Sequence, residues 1–484
     1  SAAAQSILKY SGVGMTSYYL HTGIKWVSGS NSAYGASGSA GDIIGTALDM
    51  DNRTIQFFKN GSSLGAAFTI AAGANMAPAC FGANVNNVKT VRWNFGADSS
   101  FAATKTAQGN PDSNDIGDFY YQPPSGFLSL CSANLPSVDV IPSEHFNTVI
   151  WTGTGVAQSI TTGFQPDFVW TKARNQTYDH NLFDSVRGAL KKISSNSSNA
   201  ESSMTNSVTS FDTDGFTLGD TAQVNLNNGT FVAWNWKAGG TASSNTNGSI
   251  TSSVSANAAA GFSIVTYTGN GTAGATVGHG LSKIPDMIIT KGRSNSGQWV
   301  TWQKDLTGAF DSNGAYVYLN STGQPATTTV FYDGTGFTSS VFKWRGGNEN
   351  VNQSSRTYLS YCFHSVDSYS KVGSYIGNGN VDGPFVNCGF KPAYILAKVA
   401  SSQLNAAGWQ IYDTARGTFN PVDDYLFADS SGAESASAAT YFAADILSNG
   451  FKIRAANTYG MNQSGATYIF LAFAESPFKH TNAR

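Results

Sequence analysis

Two Asp–Arg pairs have the residue types and the spacing of a small electrostatic site. Asp184 precedes Arg187 by three positions, and Asp413 precedes Arg416 by the same interval. Asp305 occupies the position that the sequence suggests as their counterpart, but no arginine follows it at that spacing. Opposite charges pair in active sites, but they also order turns, and exposed pairs contribute little stability. The missing arginine favours a pair that orders a turn.

The other chemistry-bearing side chains predict no catalytic, metal or cofactor site. Asp212 and Asp214 before Gly215 resemble the start of a calcium loop, but the further ligands are missing and a shared turn explains the glycine. The six histidines are scattered, without a GxSxG motif or an acid-rich cluster. We therefore predict that the protein is not an enzyme. The cysteines form no CxxC pair and are predicted to be reduced, buried thiols: Cys80, Cys131, Cys362 and Cys388.

Tryptophans near polar loops supply the candidate binding residues. Aromatic rings at exposed loop tips bring a large rigid area to an interface at low entropic cost, and they can stack on sugars. The tryptophans predicted to be exposed and to bind a partner in this way are Trp299, Trp302, Trp344 and Trp409. Residues with the alternating spacing of a core strand are assigned to the core instead: Trp234, Trp236, Tyr361 and Phe363.

The elements that must position these residues belong to an internal repeat. Three segments share a glycine and a large apolar residue, then a proline, then a short apolar run that reaches a lysine. They read GFQPDFVWTKAR from Gly163, GLSKIPDMIITKGR from Gly280 and GFKPAYILAK from Gly389. Glycine permits a sharp bend, proline favours an extended start, and such an apolar run predicts a buried strand. The recurrence indicates a structural repeat.

Further landmarks keep a constant order around each copy. An aromatic anchor and a glycine-containing loop precede it, and an acidic position, a Gly-Phe turn and a strand of alternating large residues follow it. Each unit spans ~100 residues, the size of a β-sandwich and too long for a solenoid rung. We predict three tandem β-sandwich-like domains, each with its own core, at 148–240, 261–368 and 369–478. The uncharged Ser/Asn/Ala-rich segment 241–260 predicts a flexible linker or an extended surface arm, and 479–484 a polar tail.

Composition agrees with an all-β fold. Of the 484 residues, 13% are aromatic and 12% are charged, about half the usual charged share of ~25%. The aromatic content excludes a disordered chain. A net charge of −2 without a basic block predicts no binding of nucleic acid. No apolar run is long enough to span a membrane, so no membrane insertion is expected.

Residues 1–100 predict a meander of short strands, followed by a proline-rich connector at 101–147. Asn60 and Gly61 separate two apolar runs, and Asn-Gly in this position is the strongest short signal of a type I′ hairpin. The stretch resembles the core of a SPRY domain, which implies a bent antiparallel β-sandwich that serves recognition or assembly without catalysis. The motifs that carry the resemblance are DIIG from Asp42, LD from Leu48, IQFFKNG from Ile55, LG from Leu64 and, similar to the family's closing strand, WNFG from Trp93.

The repeats together resemble tandem domains in structural proteins of marine tailed bacteriophages, a family in which a SPRY-like module often precedes the repeats. The resemblance spans nearly the whole chain and is carried by PSGFLSLCSANLP from Pro124, GFQPDFV from Gly163, FDTDGF from Phe211, FVAWNWKAGG from Phe231, GSITSSVSAN from Gly248, GFSIVTYTG from Gly261 and VGHG from Val277. It implies a non-enzymatic virion protein, a tail fibre or appendage that acts in host-surface recognition or attachment. No catalytic residues come with it.

The same resemblance sets the expected partners and location. We expect the protein in the virion, an extracellular particle, bound to other virion proteins and to a glycan or protein of the host surface. Phage fibres of this kind are commonly trimers, so a homo-trimer is the favoured oligomer. Two alternatives stay open: a decorating or fibre protein of the capsid surface in the same virus, and a polysaccharide-degrading tail spike.

Overall fold

A computed structural model divides the chain into two compact units, residues 1–136 and 137–484. It is all-β, as the sequence predicts, and its one α-helix among the described residues is four residues long. The structure describes residues 4–5, 16–19, 23–27, 30–70, 81–82, 90–135, 138–306, 315–327, 331, 336–401, 408–436, 443–455 and 460–478.

The first unit consists of short antiparallel strands. They are β1 (Ala4–Gln5), β2 (Thr16–Tyr19), β3 (Ile24–Val27), β4 (Ser30–Ala33), β5 (Ile44–Asp49), β6 (Thr54–Lys59), β7 (Ser62–Ser63), β8 (Phe68–Thr69) and β9 (Phe81–Gly82). β2-β3-β4 form one sheet, β5-β6-β7 with β8 beside β6 form a second, and β1 pairs with β9. Asn60 and Gly61 join β6 to β7 with φ of 50° and 81°, and both signs fit the predicted type I′ turn. A 3₁₀ turn follows at Ser132–Asn134.

The second unit contains the three repeats. Repeat 1 holds a 3₁₀ turn (Pro142–Glu144), β10 (Phe146–Thr152), β11 (Gln158–Thr161), β12 (Phe168–Ala173), β13 (Asn181–Asp184), β14 (Lys191–Lys192), β15 (Ser202–Ser203), β16 (Val208–Asp212), β17 (Gly215–Leu218), α1 (Ala222–Asn225) and β18 (Thr230–Trp236). Repeat 2 holds β19 (Ser243–Asn245), β20 (Ser252–Asn257), β21 (Phe262–Thr268), β22 (Thr276–Gly278), β23 (Met287–Gly292), β24 (Val300–Gln303), β25 (Ala315–Tyr318), β26 (Ala326–Thr327), β27 (Val341–Lys343) and β28 (Thr357–Phe363). Repeat 3 holds β29 (Ser370–Ile376), β30 (Phe385–Asn387), β31 (Phe390–Val399), β32 (Gln410–Asp413), β33 (Asp424–Phe427), β34 (Ser435–Ala436), β35 (Ala444–Leu447), β36 (Gly450–Ile453) and β37 (Thr467–Pro477).

Each repeat has a long sheet and a small second sheet. The long sheets run β10-β18-β12-β13, β19-β20-β21-β28-β23-β24-β25-β26 and β29-β37-β31-β32-β33-β34. The small sheets are β11-β17-β16, β22-β27 and β30-β36-β35. Residues alternate along the long-sheet strands between two buried clusters: Val169 of repeat 1 packs with the small sheet, whereas Phe168 and Trp170 face a central cluster. Every repeat therefore has two layers of sheet, and buried residues cover both faces of its long sheet.

Each repeat has an outer core of its own, and a further central cluster is shared by all three repeats, which the prediction of one separate core per domain did not include. Phe168 stacks on Tyr361 of repeat 2 with 4.2 Å between ring centroids, and Phe146 stacks on Phe473 of repeat 3 at 5.1 Å. A cavity of only ≈10 Å³ is left between the three sheets, about the space of one water molecule. The repeats thus close into a ring around a packed centre.

The segment 241–260 is not simply a linker, because it contributes β19 and β20 to the sheet of repeat 2. Its low charge and small residues suggested flexibility. Val254 is buried in the core of repeat 2, and the buried Ser252 hydroxyl donates to the carbonyl of Gly278 at 2.8 Å. A neighbouring sheet edge therefore orders a sequence whose composition alone looks disordered.

Candidate functional site

The four predicted binding tryptophans are buried or half-buried, which corrects the prediction that they are exposed. Trp299, Trp344 and Trp409 are completely buried, and Trp302 is half-buried against Phe337 with ring centroids 5.0 Å apart. Trp344 packs in the peripheral core of repeat 2. Their polar sequence neighbours suggested solvent, but polar residues beside Trp302, such as Thr301 and Gln303, are themselves buried.

Trp299 and Trp409 join one repeat to the previous one. The Trp299 indole N–H donates to the carbonyl of Ser194 in repeat 1 at 2.8 Å, and that of Trp409 donates to Tyr318 in repeat 2 at 2.9 Å. His180 is their counterpart in repeat 1, with its Nε2 3.0 Å from the carbonyl of Phe427 in repeat 3. The same contact therefore recurs three times around the ring.

The buried histidine is held as a single tautomer. Burial is the main cause that lowers the pKa of His180 well below its ordinary value, so the ring is neutral. Trp170 donates its N–H to Nδ1 at 2.8 Å, which leaves the proton on Nε2. His180 then donates to Phe427, as the two tryptophans donate to their own carbonyl partners.

The repeated lysines bind backbone carbonyls, and two of the three do so across a contact between repeats, whereas Lys172 donates to Ala173 and Gln176 within repeat 1. Lys172, Lys291 and Lys398 are buried, and burial lowers the pKa of each to about 8. Lys291 donates from Nζ to Ser198 of repeat 1 at 3.1 Å, and Lys398 donates to Ser321 of repeat 2 at 3.0 Å. Their constant position in the repeat thus reflects a structural contact.

The Asp–Arg pairs are buried parts of larger clusters. Arg187 Nε lies 2.5 Å from the carboxylate of Asp184, and its other nitrogens donate to Glu201 and to two backbone carbonyls. Burial alone would lower the pKa of Arg187, but the adjacent carboxylates raise it above its ordinary value. Tyr361 of repeat 2 donates its hydroxyl to Asp184 at 2.8 Å. Each charged group is therefore bound within the fold.

Repeat 3 builds the same cluster against repeat 1. Arg416 binds Asp413 at 2.6 Å and Glu434 at 2.9 Å, and Trp234 of repeat 1 donates to Asp413 at 2.9 Å. Glu434 also binds Arg174 of repeat 1. Burial would raise the pKa of Glu434, but the two arginines lower it below its ordinary value.

The counterpart contact between repeats 2 and 3 is neutral. Strand register pairs Asp184 with Phe168, Asp413 with Tyr394, and Gln303 with Met287, so Gln303 rather than Asp305 is the equivalent residue. The donor position of Trp234 and Tyr361 is Leu471 in repeat 3. The carboxylate and its donor are replaced together, which leaves no buried charge without a partner at this contact.

A buried asparagine fixes the outer loops of each repeat, and sequence reasoning missed it. Asn225, Asn352 and Asn462 are fully buried, and each accepts a backbone N–H from the opening loop through its Oδ1. Asn462 also donates from Nδ2 to Asn378, Asn380 and Ala455. A detectable signal existed, because each asparagine precedes the first aromatic residue of the closing strand by six positions.

An exposed aromatic pair lies in the first unit. Trp93 and Phe95 are 52% and 40% exposed, with ring centroids 5.9 Å apart and planes within 4° of parallel. WNFG was predicted as a closing strand, but no strand is assigned there. Leu130 donates its backbone N–H to the carbonyl of Phe95 at 3.2 Å and is itself 74% exposed. We call Trp93, Phe95 and Leu130 the aromatic patch.

Hydrogen bonds hold the backbone beneath the aromatic patch. Asn94 accepts the N–H groups of Gly96 and Ala97 at 2.8 Å and donates to the carbonyl of Asp118 at 2.8 Å. Trp93 and Phe95 flank the anchored Asn94, so the backbone that carries the two half-exposed rings is held in place. Exposed aromatic area on a fixed backbone suits binding, since little entropy is lost on contact.

Buried Asp112 anchors the other side of the patch. Its carboxylate accepts the N–H and the hydroxyl of Ser129, both at 2.7 Å, and the side-chain amide of Asn134 at 2.7 Å. Burial would raise the pKa of Asp112, but these hydrogen bonds lower it well below its usual range. Ser129 is thereby fixed beside Leu130.

An open groove of ≈450 Å³ lies between repeats 1 and 2. Its buried carboxylate, Asp167, accepts hydrogen bonds from Ser185, Ala238 and Gly240 at 2.7–3.2 Å. The acid is therefore already bound within the fold, and the rest of the lining consists of alanines and glycines together with Gln165, Lys237 and Asn257.

Within the described residues, no group of three or more His, Cys, Asp or Glu side chains is arranged to hold a metal ion. Cys362 and Cys388 are buried, but Cys131 is exposed, which corrects its prediction as a buried thiol; Cys80 lies outside the described residues. In the same part of the chain, no helix has both the length and the apolar character needed to cross a membrane.

Sequence models of two families match the chain. One, described as a domain of unknown function (DUF7483), matches residues 141–477, which includes all three repeats. The chain belongs to the DUF7483 family. The SPRY domain model matches residues 8–98, so the predicted N-terminal SPRY domain is confirmed. No curated protein and no solved structure matches the chain. The DUF7483 match therefore coincides with the ring.

Proposed function

We propose that the protein is a non-enzymatic structural component of a virion, a tail fibre or related appendage that attaches the particle to its host. The observation that carries the proposal is the ring of three repeats closed by equivalent contacts. Its buried lysines, arginines and carboxylates bind backbone carbonyls or each other. Charged groups used in this way stabilise a rigid support, which an attachment protein requires.

The resemblance of the repeats to tandem domains of marine phage structural proteins supplies the viral context. In this proposal the DUF7483 ring is the support, and the first unit, which contains the SPRY domain, carries the recognition surface. The aromatic patch is its centre, because Trp93, Phe95 and Leu130 offer exposed apolar area on a backbone held by Asn94. A glycan or protein of the host surface is the proposed ligand.

Location and binding test the proposal separately. Immunogold labelling of virions is expected to place the protein on the tail, and labelling of the capsid surface would favour the decorating protein. Purified protein is expected to compete with virions for host cells. Trp93→Ala and Phe95→Ala are expected to lose most of this competition, and Phe419→Ala, which removes an 83% exposed aromatic ring from the DUF7483 ring, is the matched control. Unchanged competition by both SPRY variants would reject the aromatic patch as the attachment surface.

The polysaccharide-degrading spike and the oligomeric state need their own measurements. Incubation with host-surface glycan is expected to release no shortened products, and their appearance would overturn the non-enzymatic assignment. A homo-trimer stays part of the proposal, although one chain already supplies three sheets around a common centre. Native mass measurement distinguishes a trimer from a monomer.

A further inference from the structure

The opening strand of repeat 1 has an uncovered outer edge. In repeat 2 the equivalent strand, β21, pairs on one side with β28 and on the other with β20. In repeat 1, β10 pairs with β18 and is the last strand of its sheet among the described residues. The register makes the strands comparable, because Phe146 pairs with Trp236 as Phe262 pairs with Phe363. Ile150 therefore corresponds to Thr266.

Hydrogen bonds just beyond β10 show which of its backbone groups face outward. Gly153 donates to Gly229 at 2.8 Å, and His145 accepts from Lys237 at 2.9 Å. Residues alternate between bonded and outward positions in an antiparallel pair, so Val149 bonds to β18 while Ile150 directs its N–H and C=O away from the sheet. Ile150 is 47% exposed. Among the described residues, no strand pairs with the outer side of β10, although the carbonyl of Thr152 at its end accepts a hydrogen bond from the side-chain amide of Gln158 at 3.5 Å.

The sequence of β10 does not protect this edge. Exposed edge strands usually carry a charge or a proline that prevents pairing with another chain. Phe146–Thr152 reads FNTVIWT and contains neither. The corresponding strand of repeat 3, β29, carries the exposed Lys371, and its outward Val372 N–H already donates to the hydroxyl of Ser365 at 3.0 Å. The edge of repeat 1 is therefore the more available of the two.

The chain itself shows what kind of segment fits such an edge. β20 lies on β21 with Ser253 opposite Thr266 and Ser255 opposite Ile264. Its sequence, SSVSAN, is uncharged, and the buried Val254 packs toward the core. Backbone hydrogen bonds supply affinity in this mode, and alternate side chains supply specificity.

We propose that the outer edge of β10, from Thr148 to Thr152, binds an extended uncharged segment of a partner protein as an added antiparallel strand. The partner segment has alternating small polar and apolar residues, as β20 has. The inference does not depend on the proposed attachment function, because the aromatic patch lies in the other unit.

A labelled peptide with the sequence GSITSSVSAN, residues 248–257, tests the edge by fluorescence anisotropy with the full chain. We expect saturable binding that Ile150→Pro weakens at least 10-fold, since proline removes the outward N–H without breaking a bond to β18. Ser374→Pro makes the same change at the equivalent position of β29 and is expected to leave binding unchanged. A peptide with proline in place of its valine is expected not to bind.

The same variants test whether the fold is preserved and which molecule binds to the edge of β10. Circular dichroism is expected to show the wild-type spectrum for Ile150→Pro, and Ile150→Lys, which keeps the N–H but adds a charge to the edge, serves as a second disrupting variant. Equal peptide binding by wild type and both variants, or no binding by wild type, would overturn the proposal. Concentration-dependent self-association that Ile150→Pro abolishes, without peptide binding, would identify a second copy as the occupant and would also overturn it.

Discussion

Glu434 in repeat 3 binds the guanidinium of Arg174 in repeat 1 through three hydrogen bonds of 2.7–3.0 Å, although the residues are 260 positions apart. The same carboxylate binds the buried Arg416 at 2.9 Å. Glu434 therefore closes the ring between its last and first repeats, where no peptide connection does so.

Glu434→Gln is expected to destabilise the ring by about 3 kcal/mol, because it leaves the buried charge of Arg416 with one carboxylate fewer. Denaturant unfolding measures the loss. Glu201→Gln, at the equivalent cluster between repeats 1 and 2, is expected to cost a similar amount. Asp382→Asn is the exposed control, since Asp382 is 77% exposed beside Lys452, and it is expected to cost less than about 1 kcal/mol. Equal effects at exposed and buried sites would contradict the role of the clusters.

The loss of stability at acidic pH is expected to depend on Glu201 and Glu434. Their folded-state pKa values lie below the ordinary 4.5, so their stabilisation is present above pH 4.5 and is lost as pH falls through the lower folded values. A Glu201→Gln, Glu434→Gln double variant is expected to lose less stability than wild type between pH 4.5 and 3. Parallel curves for the two proteins would exclude these carboxylates as a source of the acid sensitivity.

Lys398 is expected to make stability rise with pH in the alkaline range. Its folded pKa of about 8 lies below the ordinary 10.5, so the unfolded chain binds more protons between these values and the lysine's contribution becomes more favourable as pH rises. The stability of wild type relative to Lys398→Met is therefore expected to rise from pH 8 to 10. Denaturant unfolding at several pH values measures it, with exposed Lys371→Met as the control. A constant difference would mean that burial does not shift this pKa.

Variants of Asn462 test whether its side-chain amide stabilises the loops by donating hydrogen bonds or only by filling space. Asn462→Ala is expected to cost about 2–3 kcal/mol, because buried loop groups lose their partners. Asn462→Asp is expected to cost more at neutral pH, since it places a carboxylate oxygen where the amide donates to Asn380 and Ala455. Thermal unfolding compares the variants. If aspartate were tolerated better than alanine at pH 7, the donor role assigned to Nδ2 would be wrong.

The sequence predicted those features of the fold that depend on residues close together in the chain. The hairpin at Asn60 and the apolar strand that ends near Lys172 follow from residues within a few positions. The burial of Trp299 and Trp409 was not predictable in the same way, because their partners, Ser194 and Tyr318, belong to other repeats about a hundred positions away.

Alignment of the repeats by sequence also pointed to the wrong equivalent residue in repeat 2. Asp305 is the nearest acid to the expected position, but register places Gln303 there, opposite Met287. The substitution becomes interpretable only beside Leu471, which lacks the donor found in Trp234 and Tyr361. The aromatic patch was missed because WNFG resembles a closing strand, whose aromatic residues would normally face a core.

The stacking of Phe146 on Phe473 brings the beginning of repeat 1 against the end of repeat 3. The same arrangement of the three sheets is thus compatible with a chain that starts at a different repeat. A circularly permuted ring that begins with repeat 2 and passes from repeat 3 into repeat 1 through a short new connection would keep every contact between the sheets. A gene encoding such a ring has more than one admissible starting point.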